Sequence, residues 1–285
     1  MAATLVVRAM KGFAMPASPL KDHLNSARLD GRGYVVLGAG GGGLGDATCI
    51  ALAGAGAQLL CVDRAQEQAE AIAKQVGGQP CVADVTRRED MVAVFEQAQS
   101  SMGDRFAGVI DIVGVAKNAR IDEMDDAAIE QQFAIVLRHA LLAVQIAGPM
   151  LAKSGGGSLT FVGSISGVAA IPNQTFYGVA KAALHHLVRY AAQELGPDGV
   201  RVNAVAPGFI STPRLLEMLP DEMWTRLAAS NPLRRVATPD DIAKAILFLV
   251  SDLAAYVNGN ILTLDGGVSQ TLALGGTDAL REAQR

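Results

Sequence analysis

The sequence predicts a single α/β domain built on a parallel β-sheet. Short runs rich in Val, Ile and Leu alternate with segments of helical pattern, and this alternation is typical of parallel strands joined by right-handed crossovers. A glycine-rich loop lies between the first strand and the first helix. No internal repeat and no linker composition marks a second domain.

Composition restricts the classes of function. The 285 residues are enough for one large α/β domain or two small ones, and half of them are apolar. The net charge is −4 and no basic block occurs, so we expect no nucleic-acid partner. No apolar run is long enough to span a bilayer, so we expect no membrane partner. The sparse cysteines, Cys49, Cys61 and Cys81, predict no metal site and a reducing compartment, the cytoplasm.

The first strand, predicted at 34–37, leads into a glycine loop and then a helix at 46–55. The spacing G-x-G-x-x-G fits this loop in two registers, Gly38/Gly40/Gly43 and Gly40/Gly42/Gly45. In a dinucleotide fingerprint of this kind, the pyrophosphate approaches the backbone amides at the start of the helix. The alternative is a flexible loop that binds nothing. The candidate cofactor residues are Gly38, Gly40, Gly43, Leu44 and Gly45.

The second and third strands, predicted at 57–62 and 79–83, each end in an acidic residue. A carboxylate about 20 residues past the glycines can bond both hydroxyls of the adenine ribose, and it would repel a 2′-phosphate. Asp63 therefore predicts NAD rather than NADP, although the neighbouring Arg64 could hold a phosphate. Candidate adenine contacts are Asp84 and Val85. Helices are predicted at 66–76 and 87–102.

The central part of the chain carries a tyrosine and a lysine four residues apart. The fourth strand is predicted at 106–113, a helical region at 122–151 with a break near Asp125, and the fifth strand at 158–162. The next predicted helix, 176–195, presents Tyr177 and Lys181 on one face. A nearby ammonium lowers the pKa of a phenol, so the pair predicts a proton donor and acceptor tuned toward neutral pH. Taken alone, the pair is better explained as an accident of an amphipathic helix, because such pairs are common.

The C-terminal part completes the alternating pattern. The sixth strand is predicted at 201–205, and Ala206-Pro207-Gly208 then breaks the backbone. A helix at 239–251 begins at Thr238-Pro239, an N-cap followed by proline in the first turn. The last strand, 260–264, precedes the turn Asp265-Gly-Gly267.

In this order, the motifs resemble those of the classical short-chain dehydrogenases/reductases. The likeness rests on the glycine loop, Asp63, Asp84, Tyr177-x-x-x-Lys181 and the segments 201–208 and 265–267, and it covers about residues 29–267. It implies a Rossmann-type doubly wound sheet of seven parallel strands in the order 3-2-1-4-5-6-7. It also implies a catalytic domain at 29–267 with a lid at about 210–235, an N-terminal extension at 1–28, a C-terminal tail at 268–285, and a homotetramer or homodimer.

The resemblance also implies a role for each site residue. Ser164, 13 residues before Tyr177, would orient the substrate oxygen, Tyr177 would exchange a proton with it, and Lys181 would lower the pKa of Tyr177 and bind the nicotinamide ribose. We therefore expect an NAD-dependent oxidoreductase that interconverts a secondary alcohol and a ketone on a small or medium, partly apolar substrate. Further cofactor contacts are expected from Gly114, Pro207, Gly208, Ile210 and Thr212.

Two departures from the family pattern leave other functions open. Asp111-Ile-Val-Gly114 replaces the usual Asn-Asn-Ala-Gly, so the bonds that brace the fourth strand must be made differently. Val136 stands where an asparagine often holds a water in a proton relay to the lysine. These changes allow a dinucleotide-binding scaffold or redox sensor with weakened catalysis. A beta-ketoacyl carrier-protein reductase is a further alternative, against which Asp63 and the acidic net charge argue.

Several smaller signals carry expectations of their own. Ser166 is the alternative catalytic serine if the loop register is shifted. His185 and His186 are expected to pack at a surface or an interface, and His139 is expected to be structural. Three large apolar side chains in the predicted lid either line the substrate pocket or pack the lid onto the body: Met218, Met223 and Trp224.

Overall fold

The computed structural model describes residues 25–271, which form one sheet covered by helices on both faces. Each strand pairs in parallel with its neighbours, in the order β3-β2-β1-β4-β5-β6-β7. This order confirms the predicted Rossmann-type doubly wound sheet. The strands are β1 (Gly33–Leu37), β2 (Gln58–Asp63), β3 (Gln79–Val82), β4 (Phe106–Asp111), β5 (Gly157–Val162), β6 (Val200–Pro207) and β7 (Ile261–Leu264).

Helices follow the strands as crossover connections. A π-helical segment, Ala134–Arg138, joins α4 to α5 without interrupting the helical rod. The helices are α1 (Leu44–Gly54), α2 (Gln66–Val76), α3 (Arg88–Met102), α4 (Asp126–Phe133), α5 (His139–Lys153), α6 (Thr175–Leu195), α7 (Pro213–Met218), α8 (Asp221–Ser230) and α9 (Pro239–Val250).

The sheet divides the core into two apolar layers. Successive side chains of a strand point to opposite faces, so Val35 and Leu37 pack on one side of β1 while Tyr34 and Val36 pack on the other. Helices α3, α5 and α6 cover the first side, and α1, α2 and α9 cover the second. Because β1 is buried on both faces, its sequence is a continuous apolar run rather than an alternating one.

Two predicted boundaries are corrected by side-chain hydrogen bonds. Strand β4 ends at Asp111 rather than at Val113, because the Asp111 carboxylate accepts a hydrogen bond from the Val113 N–H at 3.1 Å and turns the chain. The long helical region begins at Asp126 rather than at 122, because Asp125 caps it by accepting a hydrogen bond from the Ala128 N–H at 2.8 Å.

One helical stretch, Asp126–Lys153, is long and apolar enough to cross a membrane by length and composition alone. Its most apolar window has a mean hydropathy of 1.6, so the expectation that no apolar run is long enough was wrong. In the structure 44% of that window is buried inside the protein, against α3, α6, β4 and β5. Core helices of folded domains pass the same test, so this stretch is weak evidence for a membrane span.

The predicted termini lie largely outside the described residues. Of the proposed N-terminal extension, 1–28, the structure describes a single 3₁₀ turn at Asn25–Ala27 and Arg28. Of the proposed tail, 268–285, it describes the 3₁₀ turn Val268–Gln270 and Thr271. The predicted lid, about 210–235, contains α7 and α8 and borders the carboxyl ends of the strands.

Candidate active site

Ser164 lies in the loop that follows β5, facing the tyrosine of α6. Its Oγ atom accepts a hydrogen bond from the Ser166 N–H at 3.1 Å, which leaves the hydroxyl proton of Ser164 free to be donated. The Ser164 hydroxyl also lies close enough to the Tyr177 phenol to lower its pKa, against the larger effect of burial. The hydroxyl of Ser166 instead donates to Gln174 Oε1 at 2.5 Å, in a buried position. The structure therefore places Ser164, not Ser166, against the phenol.

Tyr177 and Lys181 lie one turn apart on α6, as their spacing predicts. The Lys181 side chain is only 1% exposed, and its Nζ atom donates a hydrogen bond to the Val162 carbonyl at 2.7 Å. That nitrogen lies 5.7 Å from the centre of the Tyr177 ring. The ammonium is therefore held between the end of β5 and the phenol.

The two ionisable groups of this pair are shifted in ways that correct one expectation. Burial raises the pKa of Tyr177 above 10.0, and the hydrogen bond from Ser164 acts in the opposite direction. Lys181 was expected to lower that pKa, but its ammonium donates to the Val162 carbonyl and does not reverse the effect of burial. Burial lowers the pKa of Lys181 from 10.5 to about 8, partly offset by the charge of Asp111. Tyr177 is thus protonated at neutral pH and can serve as a proton donor.

A cavity of about 400 Å³ opens beside this pair, at the carboxyl ends of β4, β5 and β6. Such a position, outside the carboxyl ends of parallel strands, is where open α/β sheets bind ligands. The structure gathers many of the predicted site residues around this one space. Those lining it are Leu44, Gly114, Ser164, Tyr177, Pro207, Gly208, Ile210 and Thr212.

The glycine loop is shaped by positions where a side chain would not fit. A Cβ atom on Gly45 would collide with the carbonyl of Gly38 and lie 2.5 Å from that of Ala39, so glycine allows α1 to start directly against the end of β1. A Cβ atom on Gly40 would lie 2.7 Å from Gln68 Cβ on α2. Helix α1 begins after Gly43 without a side-chain cap. These glycines form a cradle of backbone at a helix N-terminus, which fits the pyrophosphate of a dinucleotide.

Asp63 and Arg64 stand at the end of β2 beside this loop. The Asp63 carboxylate accepts hydrogen bonds from Gly40 N–H at 3.2 Å and Ala65 N–H at 3.1 Å. It thereby ties the end of β2 to the glycine loop, on the side where an adenine ribose would lie. Arg64 is exposed, and its positive charge lowers the pKa of Asp84, which places the two side chains near each other.

Asp84 and Val85 follow β3 at the same edge of the sheet. The Asp84 carboxylate accepts hydrogen bonds from both the N–H and the hydroxyl of Thr86, at 3.0 and 2.7 Å, and these bonds contribute most to lowering its pKa. The side chain of Val85 is buried in the core. A base in this position would therefore meet the turn at Asp84 and the backbone of Val85 rather than the valine side chain.

The segment after β6 forms the far wall of the cavity. The Gly208 N–H donates to the Leu264 carbonyl at 3.0 Å, and a Cβ atom on Gly208 would lie 3.1 Å from that of Asp265. Thr212 caps α7 and lies close to the glycine loop, 3.8 Å from where a Cβ atom of Gly43 would be. Asp265 is used as a turn: its carboxylate accepts hydrogen bonds from Gly267 N–H and Ser269 N–H.

The departure at the end of β4 is compensated by a pair that sequence analysis missed. Oδ2 of Asp111 lies 2.6 Å from Nδ1 of His139, and both side chains are buried. Gln132 braces the following loop: it accepts from Lys117 N–H at 2.7 Å and donates to the Val115 carbonyl at 2.9 Å. The contact between Asp111 and His139 could have been anticipated, because a buried carboxylate requires a hydrogen-bonding or cationic partner.

Val136 and Gly114 are two positions that the sequence analysis discussed, Val136 as a departure from the family pattern and Gly114 as a cofactor contact. Val136 is fully buried within the π-helical segment and offers no polar group, as expected of valine. A Cβ atom on Gly114 would lie 2.9 Å from Nζ of Lys181. Glycine at this position therefore leaves room for the ammonium.

Two of the smaller expectations need correction. His185 is 3% exposed and lies beneath the Ser164 loop, so it is not a surface residue, whereas His186 is exposed and stacks edge-on against Tyr190. In the lid, Met218 lines the cavity, but Met223 and Trp224 do not. Met218 therefore fits the first alternative, whereas Met223 is exposed and fits neither. Within residues 25–271, no group of three or more His, Cys, Asp and Glu side chains could hold a metal ion.

Comparisons with known proteins agree with this architecture. A family model described as Enoyl-(Acyl carrier protein) reductase matches residues 38–269. The 3-oxoacyl-(acyl-carrier-protein) reductase of Thermotoga maritima is 32% identical over 246 residues, covering 85% of this chain and 99% of that protein. The galactitol 2-dehydrogenase (L-tagatose-forming) of Cereibacter sphaeroides is 34% identical over 252 residues, covering 86% and 98%.

A solved structure extends the comparison to three dimensions. The 7α-hydroxysteroid dehydrogenase complexed with NADH and 7-oxo glycochenodeoxycholic acid superposes with a TM-score of 0.81 at 32% identity, covering 86% of this chain and 96% of the other. The three relatives differ in substrate but share the chemistry of a CH–OH group and its carbonyl. The chain belongs to the classical short-chain dehydrogenase/reductase family and is an oxidoreductase that acts on CH–OH groups with a nicotinamide dinucleotide.

Proposed function

We propose that this protein interconverts a secondary alcohol and a ketone with NAD as its cofactor, and that Tyr177 is the acid and base. The observation that carries the proposal is that Ser164 and Tyr177 line the same 400 Å³ cavity, with the Lys181 ammonium 5.7 Å from the centre of the phenol ring. A hydrogen-bond donor, a proton donor and a cation meet there at one edge of the sheet.

Each residue of the site has a distinct task in this mechanism. The bound nicotinamide supplies or accepts the hydride. In ketone reduction, Tyr177 donates its proton to the substrate oxygen while the hydroxyl of Ser164 donates a hydrogen bond to the same atom. The Lys181 ammonium stabilises the phenolate that remains. In alcohol oxidation the phenolate takes the proton back.

The proposed choice of NAD rests on Asp63. Its carboxylate stands at the end of β2, hydrogen-bonded to the glycine loop, where it would repel a 2′-phosphate. Two considerations favour NADP instead. Arg64 could hold a phosphate, and a carrier-protein reductase is expected to use NADPH. We propose NAD because Asp63 is oriented toward the loop, while Arg64 extends into solvent.

The proposed substrate is of small or medium size and partly apolar. Most side chains around the cavity are apolar, and they come from the loops after β4, β5 and β6 and from the lid: Val115, Ile171, Phe209, Leu215, Met218 and Leu219. Arg214 is the one charged residue among the described residues that line it. We propose that it binds an acidic group on the substrate. The steroid acid in the related hydroxysteroid dehydrogenase structure supports this choice.

The mechanism is tested by Tyr177→Phe, which removes the phenolic proton and keeps the ring. We expect turnover of ketone and alcohol to fall by about 10²- to 10⁴-fold, the usual contribution of general acid–base catalysis. Dinucleotide binding, followed by fluorescence of NADH, should remain near the wild-type value. Turnover comparable to wild type in this variant would rule out the proposed role.

Two alternatives are distinguished by separate measurements. Single-turnover oxidation of bound NADH by a panel of ketones separates an enzyme from a scaffold or redox sensor, since a scaffold would leave NADH unconsumed. The likeness to the Thermotoga maritima reductase favours a beta-ketoacyl carrier-protein reductase as the second candidate. That function predicts a preference for NADPH and for a beta-ketoacyl thioester.

We further propose a homotetramer, or a homodimer, located in the cytoplasm. Helices α5 and α6 expose apolar side chains that association would cover, including Leu141, Val179 and Tyr190. The three cysteines are free, which suits a reducing compartment. Light scattering of the purified protein measures the assembly, and a monomer at micromolar concentration would contradict it.

A further inference from the structure

His185 continues the line of functional residues on α6. Tyr177, Lys181 and His185 occupy positions i, i+4 and i+8, so their side chains lie on one face of the helix. The first two face the cavity and the end of β5. The third lies beneath the loop that carries Ser164, and its side chain is 3% exposed.

The imidazole of His185 joins both ends of that loop. Its Nε2 atom accepts a hydrogen bond from the Ser164 N–H at 3.4 Å. The ring also lies against the backbone of Gly167: burial and the charges of Lys181 and Arg189 lower the pKa of His185, and Gly167 acts in the opposite direction. The ring therefore contacts the backbone at both Ser164 and Gly167.

The loop is built to fit this ring closely. A Cβ atom on Gly163 would collide with Nε2 of His185, and one on Gly167 would lie 2.7 Å from its Cε1 atom. Glycine at both positions lets the backbone rest against the imidazole. The Gly163 N–H is held from the other side by the Val205 carbonyl of β6 at 2.6 Å.

The surroundings keep this imidazole neutral. Burial, followed by the charges of Lys181 and Arg189, lowers the pKa of His185 to about 4. Both cations belong to α6 itself. On the side of the loop and of β7, the groups around the ring are Gly167, Val168, Ile261 and Thr263, none of which titrates. A neutral ring is required, because a proton on Nε2 would face the Ser164 N–H.

We propose that His185 is a positioning residue of this active site, which fixes the Ser164 loop to α6 and so sets the serine hydroxyl against the Tyr177 phenol. The inference rests on the proposed function, because it assigns Ser164 a role in that reaction. His185 does not touch the substrate. It acts through the backbone at Ser164 and Gly167.

The experiment compares His185→Leu with His185→Gln. Leucine fills space but cannot hydrogen-bond, whereas the glutamine amide can accept from the Ser164 N–H. We expect kcat to fall by about 10- to 100-fold in the leucine variant, because small misplacements of a reacting group have costs of that size. The glutamine variant should recover most of that loss, and KM for NADH should stay unchanged in both.

A second readout separates positioning from a general structural role. In the leucine variant, Ser164 would no longer lower the pKa of Tyr177, so the rise of alcohol oxidation with pH should move to higher pH. The glutamine variant should restore the wild-type profile. The matched control is His186→Leu, an exposed neighbour on the same helix, which should change neither kcat nor the profile.

Each outcome decides for or against the inference. Equal kcat values and profiles for His185→Leu and His185→Gln would overturn it, even where Tyr177→Phe is inactive and the proposed function stands. An active Tyr177→Phe would instead remove the proposed function. If the leucine variant does not fold, His185→Ala is measured with and without added imidazole. A gain in kcat with imidazole supports the inference, and no gain contradicts it.

Discussion

The Nδ1 atom of His139 lies 2.6 Å from Oδ2 of Asp111, and neither side chain is accessible to solvent. This contact joins the end of β4 to the first residue of α5, directly after the π-helical segment. The other carboxylate oxygen holds the Val113 N–H. Asp111 therefore braces the strand end and also acts, through its charge, on the pKa of Lys181.

Replacing Asp111 by asparagine keeps the shape and removes the charge. Asp111 raises the pKa of Lys181, so Asp111→Asn should lower it below about 8. The ammonium is then lost at lower pH, and the alkaline decline of kcat/KM for ketone reduction should move in the same direction. The free energy of unfolding should fall by about 1.5 to 3 kcal/mol, the contribution of a hydrogen bond to a charged group. A decline at the wild-type pH would contradict the electrostatic link.

The buried ammonium of Lys181 predicts how stability depends on pH. Its pKa falls from 10.5 to about 8 on folding, so the unfolded chain holds more protons between these values and stability due to this group rises with pH there. Lys181→Met removes that contribution. Relative to the variant, wild type should gain about 2 kcal/mol in free energy of unfolding between about pH 7 and pH 10. Denaturant titrations at several pH values measure the difference, and parallel curves would refute it.

The glycine cradle predicts a large effect at Gly45 and a small one at Gly54. A methyl group on Gly45 would collide with the carbonyls of Gly38 and Ala39, so Gly45→Ala must push α1 away from the loop. We expect weaker NADH binding and a loss of about 1 to 3 kcal/mol in stability. Gly54 has open space around it on the same helix, so Gly54→Ala should leave binding intact and raise stability slightly. Similar NADH affinities in the two variants would contradict this account.

The preference for NAD is tested by Asp63→Ala with Arg64 retained. Removing the carboxylate takes away the repulsion of a 2′-phosphate and leaves an exposed guanidinium nearby. The ratio of kcat/KM for NADP to that for NAD should rise by about ten-fold or more, which requires only about 1.4 kcal/mol. Asp104→Ala, an exposed change of the same charge on the loop before β4, is the control. A wild-type enzyme that already prefers NADP would show the assignment of Asp63 to be wrong.

The role of Arg214 is tested by Arg214→Gln on paired substrates, one with a carboxylate and one with a neutral amide. Loss of a charged hydrogen bond worth about 1.5 to 3 kcal/mol should raise KM for the acid about ten-fold or more. KM for the amide should hardly change. Arg226→Gln, on α8 and outside the cavity lining, serves as control. An equal effect on both substrates would exclude recognition of an acidic group.

Local patterns allowed much of the fold to be predicted from the sequence. The strand–helix alternation, the glycine loop after β1 and the spacing of Tyr177 and Lys181 are properties of short segments, and each was placed correctly. The strand order came from the resemblance, and the structure confirms it.

Contacts between distant residues could not be predicted in the same way. The partners of Asp111 and Ser164, His139 and His185, lie 28 and 21 residues away in sequence, and neither histidine belongs to a recognisable motif. The pKa of Tyr177 was also mispredicted. The four-residue spacing gives proximity to Lys181 but not the direction in which the ammonium points, which depends on the free carbonyl at the end of β5.

The line of functional groups along two turns of α6, from Tyr177 to His185, limits which insertions and deletions this helix can accept. One residue inserted between Tyr177 and His185 would rotate everything beyond it by about 100° and shift it by about 1.5 Å. The phenol, the ammonium and the imidazole could then no longer reach the carboxyl edge together. Insertions and deletions should therefore be tolerated in surface connections such as the lid, whereas those between Tyr177 and His185 should abolish activity.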